Sequence, residues 1–194
     1  MQFWQKWVKQ MQRKLTTQAA AIFLILMSLT STSTAATKKL SSDWLLPTKK
    51  VTPGVINKDV TQENIKDNIC KSGWTATIRP TVTYTNKLKS DQLAKDYKNY
   101  VAAFGTDPSL YEEDHLISLQ LGGSPTDPKN LWPEPYAGNG ARKKDVVETK
   151  LKNLICTGKI KLADAQKAIA TNWVLAYNKY VTPTDAKAPI DTTN

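Results

Sequence analysis

Asp114 and His115 stand side by side in "EEDHLISLQLGGSPTDPKNLW", and this imidazole is the only one in 194 residues. Asn130 follows 15 positions after the histidine, and Asn139 follows 24 positions after it. Hydrolysing a phosphodiester needs a base for the attacking water and a cation for the charge on the phosphate and leaving oxygen. One neutral imidazole and one divalent ion held by oxygen ligands meet that need. Each residue also has a plainer use. His115 has the competing reading of a hydrogen-bonded, half-buried side chain, and Asp114, with Glu112 and Glu113, of surface charge. Asn130 suits a turn after Asp127-Pro128, and Asn139, between Gly138 and Gly140, suits a helix cap.

These residues must be brought together by the elements around them. "SLYEEDHLISLQL" has strand-like apolar spacing and runs into Gly122-Gly123. "SPTDPKN" carries turn chemistry, and "NLW" offers a second short strand. After "PEPYAGNG", Val147, Leu151, Leu154 and Ile155 share one helical face, with Gly158 beyond them as a stop. A second helix carries Ala165, Ile169, Trp173 and Tyr177 at four-residue spacing. The order is strand, turn, strand, loop, helix. In a regular strand, Asp114 and His115 point to opposite faces, so the strand must end or bulge there if both serve one site.

Upstream, "DVTQENIKDNIC" reads as a short helix capped by Asp59, with Gln62 in capping-box spacing and Ile65 and Ile69 on one face. "GWTATIRPTVTYT" reads as a strand or extended segment interrupted at Pro80. Ser90 begins a helical pattern that stops at Gly105. There is no internal repeat.

The spacing of Asp114-His115, the Gly-Gly turn, Asn130-Leu131 and a polar residue nine positions further on resembles the HNH endonucleases of the ββα-metal (His-Me finger) superfamily. The resemblance spans residues 110–150. It implies that His115 is the general base, that Asp114 and Asn139 are metal ligands, and that Asn130 braces the loop. It also implies one divalent ion, and all-oxygen ligation suits Mg²⁺ or Mn²⁺ better than zinc. Many members carry histidine where this chain has Asn139, and the paired CxxC knuckles of many HNH domains are missing. Arg142, Lys143 and Lys144 follow in the first turn of the helix, where cations are mildly unfavourable for the dipole. They make sense there as phosphate contacts, or as a solvated charge run. Arg79 is a weaker candidate of the same kind, and Glu112 one for the outer shell of the ion.

The charge fits a polyanionic partner. The net charge is +10, from 27 basic and 17 acidic residues; four of the basic ones, and no acid, lie in residues 1–36, which leaves 23 against 17, or +6. Nucleic acid is the expected partner, with DNA ahead of RNA. Residues 1–36 run from a basic stretch through apolar "AAAIFLILMSL" to small-residue "TSTSTAAT", the order of a secretory signal. Cleavage near Ala35 or Ala36 leaves an exported, periplasmic or secreted protein with no stable membrane association. The alternative is an uncleaved anchor, although a spanning helix needs about 20 apolar residues. Cys70 and Cys156 belong to no CxxC pair and can bond to each other in an oxidising compartment; the other possibility is two buried thiols.

The expected fold class is α+β, with a small hairpin-helix core of the HNH kind, residues 110–156, embedded in a mainly helical single domain over 59–180. Residues 37–58 form an extended lead-in, and 181–194 a disordered tail. The expected activity is metal-dependent, low-specificity endonuclease action. The alternative is a non-catalytic periplasmic module that keeps the scaffold to hold a polyanion. No G-x-S-x-G elbow, P-loop or HExxH is present.

Overall fold

Two apolar stripes build much of the larger core cluster. Val147, Leu151 and Ile155 recur on one face of helix α4 (Gly140–Cys156), and all three are buried. Ala165, Ile169 and Trp173 do the same on α5 (Leu162–Tyr180), and the two helices pack these stripes together. Gly158, at φ 70°, reverses the chain between them, with its N–H and that of Lys159 closing onto Ile155 and Leu154. The computed structural model describes residues 46–187. The signal segment, the first part of the lead-in and the last seven residues of the tail lie outside the described residues. Those described belong to one compact unit, Lys39–Asn194.

The fold is α+β. Three short helices, α1 (Trp74–Ile78), α2 (Val82–Lys95) and α3 (Lys98–Phe104), precede an antiparallel pair, β1 (Tyr111–His115) and β2 (Leu131–Pro135). The register pairs Asp114 with Trp132 and His115 with Leu131. Helix α2 donates to the sheet from Lys89 Nζ to the Tyr111 carbonyl (2.9 Å) and from Gln92 Nε2 to the Leu131 carbonyl (2.8 Å). A second cluster, with Leu93, Tyr97, Tyr100, Tyr111, Leu116 and Trp132, fills the space between these helices and the hairpin. Among the described residues no helix is long and apolar enough to cross a membrane.

Two local readings are corrected. The segment at 62–73 is a run of turns, not a helix. Asn64 Oδ1 accepts the Thr61 N–H, its Nδ2 donates to the Asp59 carbonyl, and Asn68 Oδ1 accepts the Ile69 N–H. Side-chain amides thus compete with the helical ladder. Gln62 does not close a capping box; its Oε1 accepts the Leu162 N–H at the start of α5, 2.7 Å away. The β-branched stretch at 74–85 is helical rather than extended. Pro80 separates α1 from α2, and the Thr81 hydroxyl caps the Tyr84 N–H. The helix expected from Ser90 therefore starts at Val82, breaks at Asp96-Tyr97, and resumes until Gly105.

The disulfide between Cys70 and Cys156 is present and ties the turn segment to the last residue of α4. The single helix expected around Trp173 bends at Asn172, which is extended in mid-helix and caps the second half through Oδ1 to the Leu175 N–H (3.0 Å).

Candidate active site at the strand end

Strand β1 stops at His115, and the chain leaves it through a loop shaped by one asparagine. Asn130 is fully buried. Its Oδ1 accepts the N–H groups of Ile117 (3.0 Å) and Val55 (3.2 Å), and its Nδ2 donates to the carbonyls of Ile117 (3.0 Å) and Ser124 (2.9 Å). Gly123 lies against this knot so closely that a Cβ there would come within 1.7 Å of the Ile117 carbonyl oxygen. Asn130 thus ties the loop after β1 to the segments at Val55 and Ser124.

His115 is 5% exposed. Its Nε2 lies 2.9 Å from the Pro125 carbonyl, which can only accept, so Nε2 carries the proton and the lone pair is on Nδ1. Burial holds the ring below its ordinary pKa, partly offset by the Asp114 charge, so the neutral base is the form present at neutral pH.

Asp114 faces helix α4. Lys144, with no exposed surface, donates to Asp114 Oδ2 (2.5 Å), to the His115 carbonyl (2.7 Å) and to Glu148 Oε1. Burial opposes charge on Asp114, but the Lys144 ammonium and its hydrogen bond outweigh it and hold the carboxyl below its ordinary range. Burial also opposes charge on Lys144, and the surrounding carboxylates again win, raising its pKa well above the ordinary value. Glu134, on β2, is pushed far upward by burial and by Asp114. Both of its oxygens are buried without a hydrogen-bond partner. Glu148 rises to about 8 by burial, against the pull of Lys144. One ammonium therefore balances one carboxylate, and the other buried acids lean to the neutral form.

Nearer the surface, burial and the Asp114 charge lift Glu112 to about 7 and Asp145 to about 6. Glu113 rises to about 8 for the same two reasons. The carboxyls read as surface charge are thus half-buried and perturbed. Arg79, between α1 and α2, acts electrostatically on Glu112, His115 and Asp145 and is closer to the site than its sequence context suggested. Tyr136, 49% exposed, feels Glu112, Asp114, Asp145 and Arg142.

Of the three cations expected to touch phosphate, Arg142 is exposed and Lys143 is half-buried, its Nζ on the Gly138 carbonyl (3.0 Å). Lys144 is the correction. All its donors are used inside the protein, so it offers none to a phosphate. Lys144, Glu148, Leu151 and Ile155 lie on the same buried face of α4. Glu134, Asp145 and Glu148 were missed because charged residues in a polar helix and a "PEP" strand look solvated.

The side chain of Asn139 lies outside the described residues. Among the described residues no group of three His, Cys, Asp or Glu side chains has the spacing of a metal cage. A zinc-type cage does not fit this donor set. A hydrated Mg²⁺-type ion does, because such ions use one or two carboxylates with water and substrate phosphate, and acidic groups crowd around Asp114. A groove of ≈ 460 Å³ along α5 is lined by Lys167, Asn172, Leu175 and Tyr180 and shares no residue with this cluster. The chain matches no family model, no curated protein and no solved structure.

Proposed function

We propose that the protein is an exported, metal-dependent endonuclease of the HNH kind, hydrolysing phosphodiester bonds in nucleic acid with low sequence specificity. The observation that carries this reading is the strand end. A neutral histidine with a fixed tautomer sits next to an ionised aspartate, both set against the first turns of a helix bearing Arg142 and Lys143. His115 Nδ1 takes the proton of a water that attacks phosphorus, and the 3′ oxygen leaves. Mg²⁺ or Mn²⁺, when bound at Asp114 and Asn139, supplies charge stabilisation to the phosphate and the departing oxygen. Arg142 and Lys143 neutralise backbone phosphates without reading sequence, and DNA is the favoured substrate. The disulfide suits the oxidising compartment to which residues 1–36 would direct the chain.

Plasmid digestion by the purified protein tests this. Cutting is expected with Mg²⁺ or Mn²⁺, none with chelator, and none from His115→Ala. Undiminished cutting by His115→Ala would remove the mechanism.

One observation favours a second reading. The Lys144 ammonium already balances Asp114, so the hairpin and helix hold together without an ion, as a non-catalytic polyanion-binding module requires. That module binds DNA with chelator present and yields no product.

A further inference from the structure

We infer that Lys144 is a positioning residue of the strand-end site, holding Asp114 and His115 in a single arrangement from the helix side. The inference rests on the nuclease reading above. Successive strand residues point to opposite faces, so β1 by itself does not commit Asp114 and His115 to one site. A group from outside the strand is needed.

Lys144 is that group. An ammonium has three N–H donors, and here they go to the Asp114 carboxylate, the His115 backbone carbonyl and the Glu148 carboxyl. The contact to His115 is on its main chain, where β1 ends, while its ring is held at Nε2 by the Pro125 carbonyl. The residue is thus pinned at two points. Asp114 is tied by Oδ2 alone. Glu148 is held in turn by Gln120 Nε2 (3.3 Å), a side chain of the loop that follows β1. The chain Gln120, Glu148, Lys144 joins loop, helix and strand end.

Stability alone does not account for this arrangement. Replacing a buried ion pair by apolar groups of similar volume is often neutral or stabilising. The donors instead converge on the two neighbours proposed to do the chemistry.

The test compares the unsubstituted protein with Lys144→Met, which keeps the stem and removes the donors. Because the chain has a single histidine, the ring signals of His115 in a proton–carbon NMR spectrum report its placement without ambiguity. Lys144→Met is expected to lower kcat about 100-fold, with KM little changed, since a misplacement of about 1 Å has that effect. The His115 ring signals shift and broaden. Adding propylammonium to Lys144→Ala is expected to restore part of the lost cleavage, refilling the site with a donor.

A folded Lys144→Met protein with parental kcat and an unchanged His115 ring overturns the inference. If the unsubstituted protein cuts nothing, the nuclease reading fails separately, and the ring signals decide: unchanged they overturn the positioning role, shifted and broadened they uphold it. If Lys144→Met does not fold, Lys144→Ala decides. Amine-dependent recovery of the parental ring signals upholds the role, and folded, amine-saturated protein without it overturns it.

Discussion

Asn130 and Ile117 form a two-way amide pair, the side chain of one against the backbone N–H and C=O of the other, each contact at 3.0 Å. Two further bonds take the same side chain to Val55 and Ser124, so it satisfies its neighbours as a backbone strand would. Asn130→Asp keeps the acceptor contacts but sets oxygen against the Ile117 and Ser124 carbonyls. It should destabilise the protein by about 3 kcal/mol or more, since each buried polar group left unsatisfied costs about 1–3 kcal/mol. Urea unfolding measures this, and parental stability in Asn130→Asp would remove the bracing role.

Gly123 has no room for a methyl group, because its Cβ would also lie 2.8 Å from Asn130 Nδ2. Gly123→Ala should therefore cost about 4 kcal/mol or more, the range of severe steric defects. Gly73 is the control: it has φ 77° but nothing within 4 Å of a Cβ, so Gly73→Ala should cost only about 1–2 kcal/mol of backbone strain. Equal melting temperatures for the two variants would show that the loop opens freely at Gly123.

Asp185 is held at about 2 by hydrogen bonds from the Thr182 N–H and hydroxyl, with Lys150 assisting. A carboxylate depressed in the folded state stabilises fully above its unfolded pKa and loses that contribution as pH falls toward the folded value. The melting temperatures of the parent and Asp185→Asn should therefore differ at pH 5 and converge as pH falls from about 4 to about 2. A difference that persists unchanged at the acid end would point to a cause other than titration.

The Cys70–Cys156 link closes an 86-residue separation, and loops of that length are worth about 4 kcal/mol in chain entropy. Reduction, or Cys70→Ser with Cys156→Ser, should lower the unfolding free energy by about that amount. Cys156 ends the helix that carries Lys144, so on the proposed nuclease reading cleavage should fall with it, leaving the protein feeble in a reducing compartment. Full activity in the double variant would separate the site from the redox state.

The hairpin and the last two helices were legible in the sequence because their signals are local. Val147, Leu151 and Ile155, then Ala165, Ile169 and Trp173, repeat at the helical period and are buried as that period requires. Asp114, His115 and Asn130 lie near one another because a short hairpin leaves few ways to arrange residues so close in sequence. The segment from 62 to 89 was not legible. The helical spacing of Ile65 and Ile69 gave way to turns held by amide side chains, and the Thr, Ile and Val of 74–85, which favour strand, went into helices with Thr81 as a cap.

The sequence by itself determined the α+β class, the disulfide partners and the order of the residues around the strand end. Tertiary structure alone decided which charges are inside. Lys144 has the same composition around it as Lys143, yet only Lys144 is buried, against carboxyls from β1 and its own helix. Local sequence carries propensity and period. The sign and burial of a charge depend on groups that arrive from distant segments, and only the packed chain brings those together.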